Sequence, residues 1–166
     1  MLCDRKIGLV YGGGNVGLMG VIADAVLDLG GEVIGVIPRS LEEKEVAHGG
    51  LSQLHVVSTM HERKALMAEL SDGFITLPGG FGTFEEFCEV ISWSQLGIHA
   101  KPCGLLNVDG YYDPLIALFD RGVEQRFIRP EHREIVLVDT IPDRLLDRML
   151  DFRAPKMGKW LDLDEV

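Results

Sequence analysis

The chain has 166 residues with 46% hydrophobic content, enough for one domain with a core of its own. Its 16 basic residues against 26 acidic ones give a net charge of −10. That balance excludes a general nucleic-acid or anionic-membrane binder, because counterion release needs clustered Lys and Arg. Cys3, Cys88 and Cys103 are too few and too scattered for a disulfide framework or a CxxC metal pattern. No apolar run approaches the ~20 residues that span a bilayer, and no signal-peptide core opens the chain. A cytoplasmic protein with reduced thiols and a single domain over residues 1–166, ending in a polar tail at 152–166, is expected.

In chain order, residues 7–11 form a short apolar strand that runs into Gly12-Gly13-Gly14. A helix over 18–29 follows, with Val21, Ile22, Ala25, Val26 and Leu29 on its buried face, and stops at Gly30-Gly31. A strand over 32–37, closed by Pro38, completes a βαβ unit for which parallel pairing is the economical reading. Gly12, Gly14 and Gly17 fit the spacing of GxGxxG, but Glu32 follows the last glycine too soon for the acidic residue of a dinucleotide fingerprint. A smaller nucleotide is therefore expected rather than a nicotinamide or flavin cofactor. Residues 40–50 read as a short helix and loop with a capping box at Ser40 and Glu43, and Glu42, Glu43 and Glu45 read most simply as solvated surface.

A strand over 54–57 precedes a helix over 60–70, whose start is marked by the capping box Thr59 and Glu62. At about 100° per residue, Met60, Arg63, Leu66, Met67 and Leu70 share one side of that helix, while Glu62 and Glu69 fall on the other. Arg63 thus sits within an apolar stripe. A guanidinium cannot shed its proton to escape burial, so it must be paired with a carboxylate, snorkel to solvent, or face an anionic ligand. Lys64 is about 100° further round and by itself reads as surface.

The apolar run Phe74-Ile75-Thr76-Leu77 has the β-branched content of a buried strand, and Pro78 ends it. Gly79, Gly80 and Gly82 then allow a tight turn with uncovered N–H groups. Thr83 with Glu86 has the pattern of a capping box for a helix running to about Leu96. A helix start with bare amides attracts an anion, most often phosphate; a glycine-rich turn that binds nothing is the alternative. The helix is apolar on two sides, with Phe84, Phe87, Cys88 and Ile91 in one stripe and Val90 and Trp93 opposite. A subunit interface is the expected use of Trp93 and its neighbours, an active-site wall the other.

A strand over 103–108, a helix from Asp113-Pro114 to about Gln125, a strand over 135–138 and a helix over 142–150 complete the chain. His48, His55, His61, His99 and His132 have no metal-ligand spacing, and neither a GxSxG element nor a nucleophilic cysteine context occurs.

With the run from Tyr11 to Gly20 (YGGGNVGLMG), Met60-His61-Glu62-Arg63-Lys64 and the run from Pro78 to Glu86 (PGGFGTFEE), the sequence resembles the LONELY GUY family. Its members are cytokinin riboside 5′-monophosphate phosphoribohydrolases, often labelled lysine decarboxylases, although nothing in this sequence marks a pyridoxal-bearing lysine. The likeness covers residues 6–128 and includes Trp93-Ser94-Gln95-Leu96-Gly97 and the run from Leu105 to Tyr111. The resemblance implies an α/β fold, a Rossmann-like doubly wound parallel sheet with helices on both faces. A homodimer through the helix that carries Trp93 is expected, with no cofactor and no metal. The implied reaction is hydrolysis of the N-glycosidic bond of an N6-substituted adenosine monophosphate, or of AMP, to free base and ribose 5-phosphate. Carried over by motif, Arg63 and Glu86 match the catalytic pair. Glu45, Lys64, Gly80, Phe81, Gly82, Thr83, Phe84, Glu85 and Ser92 match substrate contacts, with Ser92 standing where members commonly have Thr.

On this reading the amides of Gly80, Gly82 and Thr83 hold the 5′-phosphate, which sets the ribose near Glu86. As a first-turn residue Glu86 is favoured in its ionised form, suited to stabilising an oxocarbenium-like transition state or activating water rather than to general acid work. Family members usually carry a further strand and helix before the segment that matches 7–11, so either a native start upstream or a product impaired in folding or activity is expected. A nucleotide-binding or molybdenum-cofactor carrier protein of the same fold, without hydrolysis, is the alternative function. The intact Arg63 and Glu86 favour the enzyme.

Overall fold

The computed structural model describes residues 1–42 and 47–155. The chain divides into two compact units, Met1–Ser71 and Asp72–Val166. Glu43 and Glu45, like most of the expected polar tail, lie outside the described residues.

The first unit begins with a 3-10 turn at Cys3–Arg5, followed by β1 (Leu9–Tyr11), α1 (Leu18–Leu27), β2 (Val33–Pro38), α2 (Arg39–Glu42), β3 (Gln53–Val57) and α3 (Met60–Leu70). The sheet order is β1-β2-β3, and both pairs are parallel, with Leu9 opposite Val33 and Ile34 opposite Gln53. Parallel pairing follows from the crossover helix, which returns the chain to the same end of the sheet. Pro38 remains in β2 as its last residue, opposite Val57, where a missing N–H costs least.

Helix α1 buries only part of the face its sequence suggested: Val26 is buried and Ile22 half-buried as expected, but Ala25 is exposed. Gly20, Ala23 and Val26 lie inward and join Tyr11 and Val33 in the core, whereas Val21 and Leu29 are 64% and 70% exposed. Gly20 sits tight against the Asn15 carbonyl, where a Cβ would lie 2.6 Å from the oxygen, so the helix turns this side inward and leaves larger apolar side chains outside. Helix α2 starts at Arg39, so Ser40 is inside it rather than capping it. Helix α3 has the expected cap: the Thr59 hydroxyl accepts from the Glu62 amide at 3.1 Å. The Glu62 carboxylate reaches back to the Ser58 amide at 2.8 Å, one residue before the Ncap.

The second unit runs β4 (Phe74–Thr76), α4 (Phe81–Gln95), β5 (Cys103–Leu106), a 3-10 turn at Val108–Gly110, α5 (Asp113–Glu124), α6 (Pro130–Arg133), β6 (Val136–Asp139) and α7 (Pro142–Leu150). Its sheet is parallel in the order β4-β5-β6. Successive residues of β5 serve opposite faces, as the two-residue strand period requires. Leu105 packs with Phe87, Tyr112 and Val136, while Leu106 packs with Leu145 and Met149 of α7. Helices therefore cover both faces, the doubly wound arrangement of a Rossmann-like α/β fold. Cys88 is exposed rather than part of the inward stripe of α4, and all three cysteines are free. No helix among the described residues is long and apolar enough to cross a membrane.

Candidate functional site

In the second unit the chain leaves β4 at Thr76, turns through Leu77-Pro78-Gly79-Gly80 and enters α4 at Phe81. Gly80 is the Ncap, so Thr83 is the third helical residue and caps nothing. The first i→i−4 bond is donated by the Phe84 amide to the Gly80 carbonyl at 3.1 Å. The amides of Phe81, Gly82 and Thr83 precede it and have no acceptor within the helix. A Cβ at Gly80 or Gly82 would meet no described atom within 4 Å, so the surface over these amides is open. A Cβ at Gly79 would lie 2.2 Å from Thr83 Oγ1, so only glycine lets the threonine side chain fold back against the turn. Two hydroxyls hold the turn from the loop after β5. Tyr112 Oη donates to the Leu77 carbonyl at 2.6 Å, and Tyr111 Oη to the Gly79 carbonyl at 2.5 Å. Burial, with Tyr111 next to it, pushes the Tyr112 phenol up to about 12, which keeps it a donor. Open amides at the positive end of a fifteen-residue helix are the kind of feature that attracts a phosphate-sized anion.

Further along α4, Glu86 is half-buried and Glu85 exposed. With Phe81 as the first helical residue, Glu86 is the sixth, beyond the first turn in which the helix dipole is felt. The helix dipole therefore contributes little at Glu86, which lies one turn after Thr83. Ser92 is six residues past Glu86, and its hydroxyl donates to the Cys88 carbonyl at 2.7 Å, which leaves its lone pairs to accept. Phe81 is 92% exposed and packs edge-on against Phe84 at 6.4 Å.

In the first unit Arg63 is 6% exposed. Among the described residues its partners are two backbone carbonyls and a thioether rather than a carboxylate. Nε donates to the Val36 carbonyl of β2 at 3.0 Å and Nη2 to the Gly12 carbonyl at 2.8 Å, while Nη1 is directed at the Met60 thioether at 3.5 Å. These are its acceptors among the described residues, and they take three of the five N–H donors of a guanidinium. A Cβ at Gly12 would fall 1.9 Å from Nη2 and 2.9 Å from Cζ, so the first glycine after β1 is the seat of this side chain. Lys64, read as surface from its helical angle, is 8% exposed, whereas Met60 at the head of the apolar stripe is 41% exposed. Arg63 and Lys64 belong to the first unit, and the run from Gly80 to Glu86 with Ser92 to the second. Sequence reasoning missed Gly12, Tyr111 and Tyr112. Gly12 and Tyr111 stood in motif runs, but only a glycine directly after a strand and two adjacent tyrosines after Asp109-Gly110 hinted at these contacts.

The family described as "Possible lysine decarboxylase" matches residues 19–149. The cytokinin riboside 5′-monophosphate phosphoribohydrolase LOG2 of Arabidopsis thaliana is 51% identical over 155 residues, covering 93% of this chain and 72% of its own. The chain belongs to the LOG family. The probable cytokinin riboside 5′-monophosphate phosphoribohydrolase LOGL1 of Oryza sativa subsp. japonica is 57% identical over 148 residues, which are 89% of this LOG-family chain and 66% of the rice protein. Its rice relative LOGL2 is 52% identical over 151 residues, 91% of the chain and 62% of the relative. The chain thus spans about two thirds of the length of these relatives. Among solved structures, the molybdenum cofactor binding protein from Rippkaea orientalis matches with a TM-score of 0.62 at 18% identity, over 90% of this chain and 80% of its own. That likeness is one of fold.

Proposed function

We propose that this LOG-family chain hydrolyses the N-glycosidic bond of N6-substituted adenosine 5′-monophosphates, or of AMP. Water adds to C1′ of the ribose, the C1′–N9 bond breaks, and the base departs with a proton to leave ribose 5-phosphate. The observation that carries the reading is the turn before α4, with its open glycines and the amides of Phe81, Gly82 and Thr83 ahead of the first helical hydrogen bond. A 5′-phosphate seated there puts the ribose about one helical turn inward, at the level of Glu86.

Glu86 and Arg63 are the proposed catalytic residues. A carboxylate at that level can stabilise an oxocarbenium-like centre or accept the proton of the attacking water. A guanidinium held by two backbone carbonyls is a fixed positive charge, suited to offsetting charge on the phosphate or the departing base. Glu45, Lys64, Gly80, Phe81, Phe84, Glu85 and Ser92 complete the proposed substrate contacts. A cytoplasmic homodimer using the α4 face around Trp93 is proposed with them. Glu86→Gln should reduce base release at least ~100-fold, the lower range for a positioned acid or base, with the melting temperature held within a few degrees. Near-normal turnover by that variant would remove Glu86 from the reaction.

A further inference from the structure

We propose that Tyr111 is a positioning residue for phosphate binding, its hydroxyl holding the Gly79–Gly80 peptide so that the Gly80 amide joins those of Gly82 and Thr83. The inference rests on the phosphate site proposed above and adds the group that orients it. A trans peptide points its C=O and its N–H in opposite directions. Tyr111 Oη takes the Gly79 carbonyl, so the Gly80 N–H is fixed on the side away from the tyrosine. Flanked by two glycines, this peptide has little steric resistance to flipping. A flip would replace the amide with a carbonyl oxygen, which repels an anion.

The loop that carries Tyr111 is built to hold it still. The Asn107 amide donates to the Asp139 carbonyl at 2.8 Å, its Oδ1 accepts from the Tyr112 amide at 2.7 Å, and its Nδ2 donates to Asp113 Oδ1 at 2.7 Å. Asp109 and Gly110 are both left-handed, at φ 49° and 73°, which turns the chain sharply before the tyrosines. The Tyr111 ring stacks on Phe84 at 6.5 Å and meets Tyr112 edge-on at 5.0 Å. Its hydroxyl therefore reaches the turn from a ring fixed on two sides, although the residue is 47% exposed. Tyr112 provides the contrast. Its hydroxyl holds the Leu77 carbonyl, but the next nitrogen is that of Pro78, which has no N–H to orient.

The test is Tyr111→Phe, which keeps the ring on Phe84 and removes only the hydroxyl. Ribose 5-phosphate, AMP and adenosine are titrated calorimetrically into the full chain and into the variant. Affinity for ribose 5-phosphate and AMP should fall roughly ten-fold, the worth of about one hydrogen bond, while adenosine affinity stays the same. KM for AMP should rise by a similar factor with kcat changed less than about two-fold. Tyr112→Phe should lower the melting temperature more and phosphate affinity less. Unchanged ribose 5-phosphate affinity in a variant whose parent binds it would overturn the inference alone, as would equal losses for adenosine and AMP. No binding of ribose 5-phosphate by the parent would overturn the phosphate site itself, and the inference with it.

Discussion

Gly12→Ala tests the seat of Arg63. The added Cβ would lie 1.9 Å from Nη2 and 2.9 Å from Cζ, far inside contact distance, so the guanidinium must move. A long side chain usually moves cheaply, but this one is buried and bonded to Gly12 and Val36 carbonyls at 2.8 and 3.0 Å. Displacing it breaks at least one hydrogen bond to a charged group, a loss of about 1.5–3 kcal/mol. For a chain of this size that corresponds to a fall in melting temperature of roughly 3–12 °C. Base release from AMP should fall in parallel with Arg63→Ala, and the double variant should be no worse than Arg63→Ala alone, the mark of two residues acting through one group. Gly8→Ala is the control, because its Cβ would make ordinary contacts at 3.6 Å. Thermal melting and chromatography of the released base measure both effects. Gly12→Ala with the stability and turnover of the parent would refute the reasoning.

Burial pushes the Cys103 thiol up to about 12 and, with Glu85 nearby, also raises that of Cys88, which is nevertheless exposed. Iodoacetamide at pH 8 should label Cys88 slowly and leave Cys103 unmodified until the protein is unfolded; mass spectrometry of peptides reads the outcome. Asp139 is gripped by Arg144, whose Nε lies 2.8 and 2.7 Å from its two oxygens, and this bonding holds its carboxyl well below the usual range. A carboxylate depressed on folding contributes stability above its unfolded pKa of about 3.9 and loses it as the pH falls further. Asp139→Asn should therefore melt below the parent at pH 7, with the gap closing as the pH drops below about 4. A gap that is constant from pH 7 to pH 3 would contradict the assignment.

Local signals in the sequence translated directly into structure. Helix α7 begins at Pro142 and ends at Leu150 as expected, and α3 begins where Thr59 and Glu62 mark it, because caps and proline act over a few residues. The face of α1 was misread for a tertiary reason. Apolar residues occur all round that helix, and packing of Ala23 and Val26 against Tyr11 and Val33, with Gly20 against the Asn15 carbonyl, leaves Val21 and Leu29 outside. At α4 a Thr-x-x-Glu pattern mimicked a capping box, but the helix is capped three residues earlier, at Gly80, and Thr83 packs over Gly79 instead.

The same divide runs through the candidate site. The strand, glycine turn and helix around the proposed phosphate site were legible because they are contiguous. Arg63 was legible as an anomaly in an apolar stripe, but its ligands, the Gly12 and Val36 carbonyls, are 51 and 27 residues away and leave no periodic trace. Tyr111 reaches Gly79 across 32 residues for the same reason.

The central claim is glycosidic hydrolysis. The full chain, incubated with AMP and with isopentenyladenosine monophosphate, should release adenine or isopentenyladenine together with equimolar ribose 5-phosphate, resolved by chromatography. Tight binding of both nucleotides with no free base would contradict the account and make the protein a nucleotide carrier.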